Sequence, residues 1–309
     1  MTNKEKYVKW VNLQDDIPIF FQPWYLDAIA VDNVWDVVFY EENDIILGVF
    51  PYCFKKKMGF TKIVMPAFCP YLGYWIKYPS NASEYERRSL EKKVIQACIK
   101  GLPKFDDFRQ KLYPGVDNWL PFYWAGFEQS TRYTYVIPYN DRVEPKASYK
   151  DSLKRQINKA SKLMEIVEVE KLDAYFYLFE ASFLKQGIQI PITQTILSQF
   201  FSTVNKHGKG KAYLAKDVDN QPLAIVLVIW DKQTTYYMAG GYDDRFAKTG
   251  AMSGLFAHAI SEAYKRGQSF NFEGSMLENL EQYFRSFGGK LTPVLSLWKT
   301  NSKVLKPFV

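Results

Sequence analysis

Two clusters in this sequence have the residue types and spacing to hold an anion. Arg245-Phe246-Ala247-Lys248-Thr249-Gly250-Ala251 is a basic, glycine-containing turn just ahead of Met252, Leu255, Phe256 and Ala259, which recur at helical spacing. A turn of this kind aims backbone N–H groups at a phosphate, and the positive end of the helix dipole favours the charge. The second cluster is Lys150, Lys154, Arg155, Lys159 and Lys162, the densest positive face in the chain. It suits a polyanion such as a nucleic acid, a nucleotide-linked precursor or an anionic membrane surface, or else it is the solvent side of an amphipathic helix. Gly240-Gly241 closes an apolar strand, where paired glycines imply a bulge, a close backbone approach or a plain strand end. Glu273 ends a short apolar strand beside Gly274, as a loop carboxylate, a cap for the next helix or a reactive group.

Other chemistries lack their residues. Two histidines are too few for a histidine-rich metal site, and no cysteine pair has zinc-finger spacing, so no metal is expected. His207 stands beside Gly208 at a helix end, and His258 flanks an apolar stripe; both read as structural. There is no Walker motif, no GxGxxG and no nucleophile elbow, since Gly274-Ser275-Met276 lacks the second glycine. Hydrolase, kinase and dehydrogenase readings lose ground accordingly.

The 309 residues are 47% hydrophobic and 24% charged, a globular composition with room for one large or two medium domains. The net charge of +7 permits an anionic partner without requiring one. Three irregularly spaced cysteines fit free thiols in a reducing compartment. The longest apolar run, Leu223 to Trp230, falls far short of the ~20 residues of a membrane span. With no leader visible at the amino terminus, the expectation is a cytoplasmic protein whose membrane contact is peripheral at most.

The elements that must position these clusters are clearest in the second half. Ser148 to Asp151 has capping-box spacing, and Leu153, Ile157, Ala160 and Met164 follow at helical intervals. A strand at 166–170, helices at 173–186 and from Thr193 to Gly208, and strands at 211–216, 223–230 and 234–241 come next. The Met252 helix, a strand at 269–272, a helix holding Leu280, Tyr283, Phe284 and Phe287, and a strand at 294–298 complete the half. The first half repeats this order more faintly: a strand at 7–11, a helix at 24–30, a meander through 37–39, 45–53 and 62–65, a helix at 83–100 and a strand at 134–137. The repetition suggests two copies of one α/β unit meeting near residue 140.

This element order resembles the GNAT acyltransferase fold, whose pyrophosphate loop reads Gln/Arg-x-x-Gly-x-Gly/Ala. Arg245 and Gly250 stand in register with that pattern, and Lys248 stands where its first glycine would be. More finely, the chain resembles the FemAB-like branch, which places two GNAT-like units in one chain. The residues carrying that likeness are the basic helix from Ser152 to Ala160, Phe270-Asn271-Phe272-Glu273-Gly274-Ser275, Phe287-Gly288-Gly289, Pro121 to Phe127 and Arg132 to Val136.

The resemblance implies an α/β fold of two tandem GNAT-like units, residues 1–140 and 141–309, each a mixed sheet flanked by helices. It implies N-acyl transfer from an activated donor, a coenzyme A thioester, to a small-molecule or peptide amine. The alternatives are an aminoacyl-tRNA-dependent ligase acting on a peptidoglycan precursor and a binding protein that kept the scaffold without the chemistry. No long helical hairpin, frequent in tRNA-using Fem ligases, is legible between residues 160 and 211. By the same analogy Glu273 orients or deprotonates the amine and Tyr283 protonates the leaving group. Gly240 and Gly241 bring backbone amides to the donor carbonyl. Arg245, Lys248 and Gly250 take the donor phosphates, and Lys154, Arg155 and Lys159 form the polyanion face, with Arg285 and Lys290 extending it.

Overall fold

The computed structural model describes residues 1–31, 34–185, 187–274 and 276–306, and the chain divides into two compact units. Met1–Arg132 together with Pro293–Val309 form the first, and Tyr133–Thr292 form the second.

The first unit opens with helices α1 (Asn3–Val11) and α2 (Pro23–Ile29), followed by strands β1 (Val34–Glu42), β2 (Ile45–Lys57), β3 (Phe60–Val64) and β4 (Trp75–Ile76). Then come α3 (Glu84–Gly101), β5 (Asp107–Lys111) and α4 (Leu120–Trp124). The expected strand at 7–11 is instead the end of α1. Thr2 and Glu5 close a capping box, and Tyr7 and Val11, one helical turn apart, are both buried. Ser83 and Glu86 cap α3 in the same way. Chain segment β6 (Glu128–Ile137) leads into the second unit, and β12 (Lys290–Thr300) leads back. The sheet of the first unit runs β1-β2-β3-β5-β12, with β4 on β2. Strands β3 and β5 are parallel and joined through α3, as a crossover requires.

One core position here is anomalous. Alternation along β5 puts Gln110 on the face of Phe108 and Leu112, opposite Leu297. Gln110 is 1% exposed, and neither its amide nitrogen nor its oxygen has a hydrogen-bond partner. An unsatisfied buried amide costs about 1–3 kcal/mol. Gln110→Met, similar in volume, is therefore expected to raise stability by about 1 kcal/mol, read as a higher urea midpoint at unchanged m. A lower midpoint would mean that a buried water satisfies the amide.

The second unit contains α5 (Asp151–Ala160), β7 (Glu165–Val169), α6 (Phe176–Leu184) and α7 (Gln194–Lys206). The meander β8 (Gly210–Lys216), β9 (Pro222–Trp230) and β10 (Thr234–Tyr242) follows, then α8 (Ala251–Lys265), β11 (Ser269–Asn271) and α9 (Glu278–Arg285). Its strand order is β6-β11-β10-β9-β8-β7, antiparallel except where β10 meets β11. Strand β9 is buried over its whole central run, as its uninterrupted apolar sequence demands. The apolar stripe of α8 and the aromatic ring set Phe256, Phe270, Phe272, Phe284 and Phe287 fill one core. The expected capping box at Ser148 does not form: Lys150 is the cap residue of α5 and makes no side-chain bond. That entry is fixed by tertiary contacts, with Tyr149 edge-on to Phe287 and the Lys150 N–H donating to the Ser286 carbonyl at 2.9 Å. Helix α5 also stops at Ala160, short of Met164.

Candidate active site

The parallel pairing of β10 with β11 covers Thr234↔Ser269, Thr235↔Phe270 and Tyr236↔Asn271, and then stops. Immediately beyond, a bulge between Tyr237 and Ala239 shifts the β10–β9 register, and β10 continues to Tyr242. The chain after β11 turns the other way, the Phe272 N–H donating to the Tyr135 carbonyl at 3.0 Å. The two strands therefore splay, leaving the β10 backbone from the bulge to Gly241 beyond the end of β11. The bulge lies just before the paired glycines, and the glycines have their own cause. A Cβ on Gly241 would sit 1.8 Å from the Leu178 carbonyl oxygen of α6, so only glycine lets that helix dock. The Ser182 hydroxyl donates to the Gly240 carbonyl at 2.8 Å and ties α6 to the same segment.

Two tyrosines stand at this splay. Tyr237 packs edge-on against Phe256, and its hydroxyl oxygen lies 2.9 Å from where a Gly240 Cβ would be. Tyr283, on α9, shares a hydrogen bond of 2.9 Å with the Ser253 hydroxyl of α8. Burial pushes both phenols well above their ordinary value, so each stays protonated at neutral pH and can donate a proton or hydrogen bond.

Glu273 follows β11 with φ of +59°, a left-handed conformation that is costly for a residue with a Cβ. Both of its carboxylate oxygens are shielded from solvent. A buried polar set holds the backbone there. The Asn271 side-chain oxygen accepts from the Glu273 N–H at 2.9 Å and from the Thr134 hydroxyl at 2.7 Å. The Thr134 hydroxyl in turn accepts from the Gly274 N–H at 2.8 Å. Asn271 and Thr134 are each 1% exposed. Sequence reasoning did not assign Asn271 a role, although a lone amide between Phe270 and Phe272 was a readable signal. Ser275, the last residue of that motif, lies outside the described residues.

The basic turn is a 3-10 helix, Asp244–Thr249, capped by Asp243. The Arg245 guanidinium folds back onto the Asp243 carboxylate, with contacts of 2.6 to 3.1 Å, and holds that carboxyl below the usual range. Lys248 is exposed. Gly250 has φ of +79°, and a Cβ on it would meet Gln156 Cγ at 2.8 Å and the Gln156 carbonyl oxygen at 3.1 Å. Helix α5 thus packs over the turn, so the two anion-seeking clusters of the sequence are neighbours. On α5, Arg155 and Lys159 are exposed, whereas Lys154 donates to the Ala147 carbonyl at 3.2 Å. Arg285 pairs with Glu281 at 3.2 Å, and Lys290 is exposed. His258 packs edge-on against Tyr213, and desolvation lowers its pKa below the ordinary imidazole value; His207 is the C-cap of α7. Among the described residues, no group of three or more His, Cys, Asp or Glu is placed to hold a metal, and no helix is long and apolar enough to cross a membrane.

A meander, a bulged strand, a splayed parallel partner and a helix starting at the splay define the GNAT class of fold. Residues 147–283 match the profile of the acetyltransferase (GNAT) domain family. Over its full length the chain shares its fold with solved structures that include FemX and a tandem GNAT protein. It superposes on the crystal structure of FemX with a TM-score of 0.72 at 12% identity, covering 100% of this chain and 98% of that one. The structure of L-PGS from Bacillus licheniformis gives 0.57 at 11% identity, with 98% and 94% covered. A tandem GNAT protein from the clavulanic acid biosynthesis pathway gives 0.57 at 9% identity, with 97% and 96% covered. No curated protein matches the sequence.

Proposed function

We propose that the protein forms an amide by moving an acyl group from an activated ester onto an amine at the splay of β10 and β11. The observation that carries this reading is Glu273, a carboxylate held in a strained backbone conformation at that opening by Asn271 and Thr134. Strain of this kind is retained where the surroundings over-determine it, and such places cluster at functional sites. In the reaction Glu273 takes a proton from the acceptor ammonium group, freeing the amine lone pair to attack the donor carbonyl, and the C–N bond forms as the ester C–O bond breaks. Backbone beyond the bulge, at Gly240 and Gly241, faces the donor carbonyl, and the Tyr283 phenol supplies the proton that the departing oxygen needs.

The donor decides between the two enzymatic readings. The basic turn does not fit a coenzyme A diphosphate: Lys248 replaces a glycine, Arg245 is turned onto Asp243, and Gln156 of α5 fills the space against Gly250. The packing of α5 here favours the second reading, a donor whose polyanionic part lies along Arg155 and Lys159, as in an aminoacyl-tRNA. The acceptor is then a peptide or precursor amine.

Fluorescence anisotropy with total tRNA tests the donor. The expected result is salt-sensitive binding that weakens about tenfold or more in Arg155→Gln with Lys159→Gln, with a shallower salt slope. Calorimetry with acetyl-coenzyme A is expected to give no heat up to ~1 mM, a free energy near −4 kcal/mol. Micromolar acetyl-coenzyme A binding lost in Lys248→Ala would overturn this choice of donor.

A further inference from the structure

The β2–β3 hairpin of the first unit, Phe54-Lys55-Lys56-Lys57-Met58-Gly59-Phe60-Thr61-Lys62, carries charge that the site in the second unit does not use. Its register sets Lys55 directly opposite Lys62, and Lys57 opposite Phe60. Like charges facing each other weaken a ladder, so the hairpin keeps them against its own stability. Met58 and Gly59, both at positive φ, make the tight turn, and Met58 is 86% exposed at its tip. The carboxy-terminal segment reaches the same rim. Asp106 exchanges hydrogen bonds of 2.8 Å with Thr61, and its carbonyl accepts from the Asn301 N–H at 2.9 Å. From there the chain presents Lys303 and Lys306, both exposed, with Val304 64% exposed between them. Among the described residues none of these six lysines is in an ion pair.

We propose that this rim docks on an anionic lipid surface, its lysines against headgroup phosphates and Met58 and Val304 in the interfacial layer. Charge complementarity names an anion, and the two protruding groups choose among anions. A single-stranded nucleic acid is gripped by cations interleaved with exposed aromatic platforms, whereas here a thioether and an aliphatic chain stand out between lysines. Clustered lysines beside exposed apolar groups match the two-part attraction of a peripheral membrane contact. The proposal does not rest on the acyl-transfer reading, since it uses residues of the first unit only.

Sedimentation with phosphatidylcholine vesicles, plain or containing about one-third phosphatidylglycerol, tests it. Binding to the anionic vesicles alone is expected, and Lys55→Gln, Lys56→Gln and Lys57→Gln together should lower the partition on the order of 100-fold. Arg155→Gln with Lys159→Gln on α5 should change it less than about threefold, so an equal loss in both variants would reduce the effect to net charge and overturn the proposal. A fluorophore on Met58→Cys gives the second measurement. Cys53, Cys69 and Cys98 are buried, and burial pushes the Cys53 and Cys98 thiols up to about 12, so the label goes to the tip. Its emission should shift to the blue with anionic vesicles and stay in place with total tRNA. The reverse pattern, or no binding to anionic vesicles, would overturn the proposal.

Discussion

Glu273→Gln is expected to slow aminoacyl transfer from charged tRNA to an amine-bearing peptide by roughly 10²–10⁴-fold, the range a positioned general base supplies. The folded structure should be intact, because glutamine keeps the size of the side chain and the backbone bonds to Asn271 and Thr134 do not involve it. Glu273→Gly separates chemistry from folding further. Glycine relieves the left-handed φ at a cost in chain entropy, and the two terms nearly cancel. Stability is then expected within about 1 kcal/mol of wild type, with transfer lost. If Glu273 only caps or braces the loop, both variants lose stability and keep turnover, which thermal unfolding and a transfer assay on the same preparations would reveal.

The second large effect is on stability. Gly241→Ala is expected to cost about 3 kcal/mol or more, at the upper end of what overpacking does. The added Cβ would fall 1.8 Å from the Leu178 carbonyl oxygen and 2.6 Å from the Ser182 hydroxyl. A helix carbonyl cannot rotate away as a side-chain end can, so α6 must lift off β10, breaking the bond from Ser182 to the Gly240 carbonyl. A urea titration measures the loss, and hydrogen exchange should localise it, with amides of α6 exchanging faster than those of β9. A cost below 1 kcal/mol would show that α6 does not depend on this close approach.

Much of this was legible in the sequence for physical reasons. The second unit's meander announced itself because β9 is buried on both faces and must be apolar throughout, and α8 because its stripe recurs at helical spacing. Thr193 and Ser83 marked helix starts because a cap is a local, side-chain-to-backbone event. Where tertiary contact decided the matter, local pattern misled: Lys150 begins α5 on the strength of Phe287 and Ser286, far away in sequence, not of Ser148. The short α1 was missed because its buried face shows only two residues, Tyr7 and Val11. At the site, Glu273 drew attention as a charge ending an apolar strand. The bond network through Asn271 and Thr134 joins positions 137 residues apart, which no spacing rule could connect. The turn at Arg245 to Gly250 has the composition of a phosphate cradle, and its glycine also makes room for α5, a long-range contact that spacing does not reveal.

The most direct measurement is an amide-resolved NMR titration of the full chain with a 3′-aminoacylamido adenosine, a non-hydrolysable mimic of the charged tRNA end. Acyl transfer at the splay predicts that the Gly240, Gly241 and Glu273 amides move first and saturate together. Unmoved amides at those three positions under saturating mimic would contradict it.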